Sequence, residues 1–150
     1  MSQFGIDIPV EQIVIMPPGA GKEEALSLLV AAVGKNPTVA DDALFRSAVF
    51  EREAIMSTGL GNGVAVPHVR IPEVGVPTLG VGISRDGVDY HSLDGKPAHV
   101  MVLFAMPLGA EKVYLSLLAK VLLVLRNRPL FDAIVACDTP EAVLVLLDDE

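Results

Sequence analysis

One histidine, His68, stands where the sequence could support phosphoryl chemistry. It follows a short apolar segment at 64–66 and a segment at 59–63 in which three of five residues are glycine. Closely spaced glycines let backbone N–H groups turn inward and form an anion-binding nest. A neutral imidazole at the rim of such a nest can attack a phosphoryl group through its unprotonated ring nitrogen. The pattern predicts a phosphohistidine site, although a lone histidine after a proline more commonly has a structural role.

Phosphoryl transfer also needs a fixed cation, because the transferred group carries negative charge on its equatorial oxygens. Arg52 is the candidate, since it stands near the end of a predicted helix that leads directly into the glycine-rich segment.

Three other segments partly match known binding motifs but lack residues that those motifs require. Residues 18–22 lack the first Gly and the final Ser or Thr of a phosphate loop, and Glu23 would repel a phosphate. Residues 59–63 follow a helix and precede a strand, which reverses the order of a dinucleotide fingerprint. His91 and His99 have no metal-ligand spacing and no accompanying cysteine or paired carboxylates. We therefore expect neither a metal ion nor a cofactor.

The composition is that of a packed globular chain with an acidic surface. The 150 residues are 51% hydrophobic and 20% charged, with a formal net charge of −8 and no Lys/Arg cluster, so a nucleic-acid partner is not expected. The single cysteine, Cys137, and an N-terminus without a signal-peptide pattern are compatible with the cytoplasm. The most apolar run, 114–125, is too short to span a bilayer, so the chain is not expected to be membrane-embedded.

The elements that must position His68 and Arg52 follow from hydrophobic periodicity. Apolar runs predict strands at 10–16, 64–66, 78–84 and 99–106, with a hairpin partner at 88–90 after a turn at 85–87. Helical spacing predicts helices at 22–33, 41–56, 110–127, 129–137 and 139–147. Thr38 or Asp41 could cap the second helix, and Leu44, Ala48 and Ile55 are its expected buried face. Helices alternating with buried strands predict an α/β fold with one sheet between helix layers, over a single domain at 1–150.

The segment 52–68, REAIMSTGLGNGVAVPH, resembles the signature of the fructose/mannitol-type enzyme IIA of the bacterial phosphotransferase system. That family includes the nitrogen-regulatory enzyme IIA paralogues. The resemblance continues through the Lys-Glu-Glu-Ala start of the first helix, the Asp-Gly-Lys-Pro segment at 94–97 and the apolar strand that ends in Met106-Pro107. It implies a single mixed β-sheet flanked by helices on both faces.

The resemblance also implies the site and the reaction. His68 matches the phosphorylated histidine and Arg52 the arginine that supports the phosphate. The implied phosphate-loop and binding residues are Ser57, Thr58, Gly61, Asn62, Gly63 and Tyr114. The family usually carries a second active-site histidine where this chain has Tyr114, and Gly or Ala where it has Val69.

The implied function is that of a cytoplasmic phosphocarrier, a phosphotransferase component without independent turnover. It would accept a phosphoryl group from phospho-HPr and pass it to an enzyme IIB domain in sugar transport. The alternative is a regulatory binding module of the nitrogen type. Such a module would gate a transporter, kinase or regulator, with weak phosphotransfer or none, and a membrane transporter is among the partners it could contact.

Overall fold

A computed structural model describes residues 1–149, and Glu150, the last residue of the acidic end, lies outside the described residues. The strands are β1 (Ile13–Ile15), β2 (Gly59–Gly61), β3 (Val64–Ala65), β4 (His68–Arg70), β5 (Thr78–Val88) and β6 (Ala98–Met106). The helices are α1 (Lys22–Gly34), α2 (Asp42–Ile55), α3 (Glu111–Leu125), α4 (Arg128–Val135) and α5 (Pro140–Leu147). A short 3-10 turn, Val10–Gln12, precedes β1.

These strands form one mixed sheet in the order β1-β5-β6-β3-β2, with β4 paired to β6 beyond the end of β3. Strands β5 and β6 are antiparallel, whereas β1 is parallel to β5 and both β3 and β4 are parallel to β6. The predicted α/β fold with a mixed sheet is confirmed.

Strand β6 shows why both faces of the sheet are covered by helices. Its alternate residues Val100, Val102 and Phe104 pack into the core under α3, α4 and α5. The residues between them, Met101 and Leu103, pack into the core under α1 and α2. A strand buried on both faces has a continuous apolar sequence rather than an alternating one.

The buried face of α2 differs from the predicted one. Its buried residues are Phe45, Val49 and Glu53, and Ala48 packs half-buried against the same core, whereas Leu44 is 41% exposed and Ile55 is 78% exposed. The prediction was rotated about the helix axis by one residue, roughly 100° at 3.6 residues per turn. The helix begins as expected, because the Asp41 side chain caps it by accepting a hydrogen bond from the Leu44 N–H at 3.0 Å.

The hairpin predicted after residue 84 is wrong. Strand β5 continues through to Val88, which pairs with Ala98, and the register shifts between Ile83 and Val88. Gly87 has a φ of +88°, so the extra residues are absorbed in an irregular segment of the strand rather than in a chain reversal.

The strands around the glycine-rich segment are also divided differently from the prediction. Residues 59–61 form the short strand β2, paired with β3, where a loop was expected. Strand β4 then begins at His68, which was predicted to follow the end of a strand. Along residues 1–149, no helix is both long enough and apolar enough to cross a membrane.

Candidate functional site

His68 is the first residue of β4, and its side chain points towards α3. Its backbone lies beside Phe104 of β6. The imidazole stacks on the ring of Tyr114, with centroids 5.0 Å apart and planes inclined by 27°. The Phe104 ring meets Tyr114 edge to face at 5.3 Å. His68 is half-buried, so one part of the ring packs on aromatic carbon and another reaches the surface.

One nitrogen of the His68 ring is engaged by the backbone. Nδ1 lies 3.0 Å from the carbonyl oxygen of Val66, a group that can only accept a hydrogen bond. We therefore assign the proton of the neutral ring to Nδ1. This tautomer leaves the lone pair on Nε2, which is the nitrogen that can act as a nucleophile.

The surroundings of His68 favour the neutral ring. Burial lowers the pKa of His68, and the positive charges of Arg52 and Arg70 lower it further, while the Val66 carbonyl and the charge of Glu53 act in the opposite direction. Because only the neutral imidazole has a free lone pair, this shift keeps His68 nucleophilic at neutral pH.

Two arginines act electrostatically on this position. Arg52, in the last turn of α2, was predicted, and within residues 1–149 it takes part in no ion pair. Arg70 was not predicted. It lies two residues after His68 and therefore projects from the same face of β4. It is exposed and 3.6 Å from Glu111, also exposed, a pairing that contributes little in water.

Tyr114, in the first turn of α3, lies at His68 as predicted. Burial raises the pKa of its phenol, with Arg52 and Arg70 opposing the shift. The phenol therefore stays neutral and can donate a hydrogen bond, but it cannot supply positive charge.

Ser57 and Thr58 use their side chains inside the protein. The Ser57 hydroxyl donates to the carbonyl of Tyr90 at 2.8 Å and accepts from the Gly59 N–H at 3.2 Å. Thr58 is buried, and both its N–H and its hydroxyl donate to Glu53, at 2.8 and 2.6 Å. These bonds hold the chain between α2 and β2 in place.

The structure does not bring Gly61, Asn62 and Gly63 to His68, so the predicted nest at the histidine does not form. These three residues have positive φ angles of 99°, 56° and 81°. Gly61 ends β2, and Asn62 and Gly63 make the turn from β2 to β3. Along β6, the partner of Val64 is Val100 and that of His68 is Phe104. Four residues of strand correspond to about 13 Å. The β2–β3 hairpin thus carries the glycines away from the imidazole.

The backbone N–H of Asn62 in this turn is bound within the protein, although the N–H groups of the segment were expected to face an anion. Asn62 donates its N–H to Asp94 Oδ2 at 3.0 Å, and its carbonyl accepts from Arg128 Nη1 at 3.0 Å. The backbone N–H groups of Asn62 and Lys96 lower the pKa of Asp94, which keeps this carboxylate charged.

Glu53 is a buried charge that the sequence analysis missed. It is only 7% exposed and lies 3.0 Å from Lys22 Nζ, and it accepts a hydrogen bond from the Tyr90 hydroxyl at 3.2 Å as well as those from Thr58. Burial and the Glu53 charge raise the pKa of Tyr90, so the hydroxyl remains a donor. The position of Glu53 four residues after Val49 on the buried face of α2 was the available signal.

The other two histidines lie apart from this site. His99 Nδ1 is 2.9 Å from the carbonyl oxygen of Ser84, and His91 is exposed with a φ of +56°. In the part of the chain that the structure describes, no three His, Cys, Asp or Glu side chains are grouped so that they could hold a metal ion.

Comparison with known proteins identifies the family. Residues 8–150 match the model of the family described as "Phosphoenolpyruvate-dependent sugar phosphotransferase system, EIIA 2". The chain is 31% identical over 127 residues to the fructose-specific EIIABC component of Bacillus subtilis, covering 85% of this chain and 20% of that protein. It is 29% identical over 133 residues to the nitrogen regulatory protein of Pseudomonas aeruginosa, covering 88% and 86% respectively.

A solved structure gives the same result. The nitrogen regulatory protein IIA-Ntr of Neisseria meningitidis superposes with a TM-score of 0.82 at 25% identity, over 94% of this chain and 96% of that one. The chain therefore belongs to the EIIA 2 family of the phosphoenolpyruvate-dependent sugar phosphotransferase system.

Proposed function

We propose that this chain is a cytoplasmic phosphocarrier whose His68 accepts a phosphoryl group from phospho-HPr. The acceptor of the next step is an enzyme IIB domain, as the relation to a fructose-specific EIIABC component suggests. The observation that carries the proposal is the state of His68: a neutral ring, held through Nδ1 by the Val66 carbonyl, with Nε2 as its free nucleophilic nitrogen.

In the proposed step, the Nε2 lone pair forms a bond to phosphorus while the bond from phosphorus to the donor's imidazole nitrogen breaks. The electron pair of the broken bond returns to the donor nitrogen. The proton on Nδ1 stays in place, so the phosphorylated ring carries positive charge that the Val66 carbonyl stabilises through a charge-assisted hydrogen bond.

The arginines supply the charge that the phosphoryl oxygens require. Arg52 and Arg70 both act on His68 from nearby. They approach from different elements, the end of α2 and strand β4. Fixed cations that are already in place when the phosphoryl group arrives stabilise the transition state without reorganising.

The test is phosphorylation in a purified system. Incubation with enzyme I, HPr and phosphoenolpyruvate should add one acid-labile phosphoryl group, seen by intact-protein mass spectrometry, and His68→Ala should abolish it. His91→Asn is the matched control, because it removes an exposed imidazole and Asn tolerates a positive φ. A wild-type protein that gains no mass beside a competent acceptor, or a phosphorylated His68→Ala, would overturn the proposal.

A second candidate function is a regulatory module that binds a partner according to its phosphorylation state. The observation that favours it is Tyr114, a neutral ring stacked on His68 where the family usually carries a second histidine, because a neutral ring cannot supply positive charge for phosphotransfer. The resemblance to nitrogen regulatory proteins agrees with this candidate. Transfer from phosphorylated protein to purified enzyme IIB would support transport. A binding partner retained by only one of wild type and His68→Glu would support regulation.

A further inference from the structure

We propose that Glu53 is a positioning residue for His68 and acts on it through two intervening residues, Thr58 and Val66, whose backbones are hydrogen-bonded in series. The inference rests on the proposed function, because His68 is the group being positioned. Glu53 itself lies in α2, on the opposite face of the sheet from the imidazole's partner helix α3. It therefore acts through the backbone rather than by contact with the phosphoryl group.

Three hydrogen bonds connect His68 to Glu53, and in each of them the donor lies on the His68 side and the acceptor on the Glu53 side. His68 Nδ1 donates to the Val66 carbonyl at 3.0 Å, the Val66 N–H donates to the Thr58 carbonyl at 3.0 Å, and the Thr58 N–H donates to Glu53 Oε2 at 2.8 Å. The N–H and C=O of one residue belong to two peptide groups joined at its Cα, so the series acts by fixing the backbone geometry of Thr58 and Val66 rather than by polarisation along one amide chain.

The carboxylate is held firmly by groups from other parts of the chain. Besides the Thr58 N–H, Glu53 receives the Thr58 hydroxyl at 2.6 Å, the Tyr90 hydroxyl at 3.2 Å and the Lys22 ammonium at 3.0 Å. Lys22 also lies 4.5 Å above the centroid of the Tyr90 ring. Both carboxylate oxygens therefore have partners, and the anchor joins α1, α2 and the segment after β5.

The expected effect on His68 is orientation. Thr58 and Val66 each have both the backbone N–H and the backbone C=O engaged, so the φ and ψ torsions of both residues are restrained. The Val66 carbonyl therefore keeps its aim at Nδ1, which keeps the proton there and leaves Nε2 free. Burial of a charged group is costly unless it is fully paired, and both oxygens of Glu53 have partners.

The experiment measures the tautomer of His68 by ¹⁵N NMR of the imidazole and, separately, the rate of phosphorylation by phospho-HPr. Wild type should show the Nδ1-protonated tautomer. Glu53→Gln should show a mixture of tautomers and phosphorylate at least about tenfold more slowly, with KM for HPr unchanged, because misalignment of a reacting group has effects of this size.

Two variants of Thr58 test smaller losses in the phosphorylation rate without removing a charge. Thr58→Val deletes the hydroxyl bond but keeps the N–H bond of the chain, so it should lower the rate less than Glu53→Gln. Thr58→Ser restores the hydroxyl and should recover the wild-type rate. Asp138→Asn is the control. It alters the exposed Arg85–Asp138 ion pair, which includes none of the hydrogen-bonded residues between Glu53 and His68.

The outcomes separate the two proposals. If Glu53→Gln keeps the wild-type tautomer and rate, or if Asp138→Asn changes them as much, the positioning role is wrong. If Glu53→Gln does not fold, a wild-type rate in Thr58→Val overturns it, because loss of the hydroxyl bond should loosen the Thr58 N–H bond to the same carboxylate. If wild type is never phosphorylated, the proposed function fails, while the tautomer measurement still decides whether Glu53 orients the ring.

Discussion

The chemistry of the site depends on one imidazole being neutral and held in one tautomer. Both properties have local causes: burial against Tyr114 lowers the pKa of His68, and the Val66 carbonyl engages Nδ1. The same burial couples protonation of His68 to folding. A pKa that is lower in the folded than in the unfolded chain means that the unfolded chain binds more protons as the pH falls.

The pH dependence follows with a definite sign. The unfolded histidine has a pKa near 6.5, so the contribution of His68 to stability should be present above that pH and be lost as the pH falls through the lowered folded pKa. The rate of phosphorylation should stay constant from pH 8 to about 6.5 and fall only below it. An NMR titration and urea unfolding across this range, with His68→Gln as the comparison, test both statements.

If the pKa of His68 were at or above 6.5, or if His68→Gln showed the same pH dependence of unfolding as wild type, the role assigned to burial would be wrong.

At the scale of elements, the site forms where the first turn of α3 meets strand β4. The convergence of His68, Arg52 and Tyr114 was expected from the order of elements and the resemblance. Arg70 could not be predicted, because its position on the His68 face depends on β4 beginning at residue 68. Glu53 was missed because its burial depends on the rotation of α2, which apolar spacing alone misjudged by one residue.

The glycine-rich segment shows a different limit of sequence reasoning. Its glycines were expected to adopt conformations that other residues resist, and Gly61 and Gly63 do have positive φ, whereas Gly59 does not and the positive φ of Asn62 was not predicted. The location of the segment was not predicted either, because sequence does not reveal that β2 and β3 pair as a hairpin and place the turn four residues of strand away from His68. Local conformation follows from residue type, whereas distance between segments follows from strand register.

The close packing of α1 on Gly80 of β5 gives a prediction for Lys22, the residue of α1 that pairs with Glu53. A Cβ at Gly80 in β5 would lie 2.5 Å from Val33 Cγ2 and 3.0 Å from Leu29 Cδ1 of α1. Gly80→Val should therefore force α1 outwards and lower the free energy of unfolding by about 1–3 kcal/mol. Because α1 carries Lys22, the variant should also weaken the hold on Glu53 and slow phosphorylation. Chemical unfolding measures the first effect.

Ser116→Ala, on the exposed side of α3, is the comparison and should change stability by less than about 0.5 kcal/mol. Equal stability of Gly80→Val and wild type would show that α1 does not depend on the close approach at this glycine.

At the scale of the whole molecule, the site brings Arg52 and Arg70 to His68 on a protein that is acidic overall. The formal net charge is −8, yet the charged side chains that act on His68 are two arginines, Arg52 and Arg70, against one carboxylate, Glu53. A phosphorylated donor carries its negative charge to this place, so local rather than net charge should guide the encounter. Local fields act within roughly one Debye length, about 8–10 Å at moderate salt.

Arg70 and Arg85 allow local and net charge to be separated. Both are exposed and each pairs with an exposed carboxylate, Glu111 at 3.6 Å and Asp138 at 2.6 Å. Reversal of either to Glu changes the net charge equally. Leu79 of β5 and His68 of β4 both lie beside Phe104 of β6, so Leu79 marks the level of His68 in the sheet. Arg85 lies six residues further along β5, which places its backbone about 20 Å from that level.

Arg70→Glu should therefore lower kcat/KM for phosphorylation by phospho-HPr several-fold at low salt, and the deficit should shrink as salt screens the interaction. Arg85→Glu should remain within about twofold of wild type under both conditions, because its charge lies beyond the screening distance of the site. Equal losses in the two variants would mean that net charge governs the encounter. A loss in Arg70→Glu that does not respond to salt would mean that Arg70 acts only on the bound phosphoryl group, as proposed for the transition state, and does not guide the approach of the donor.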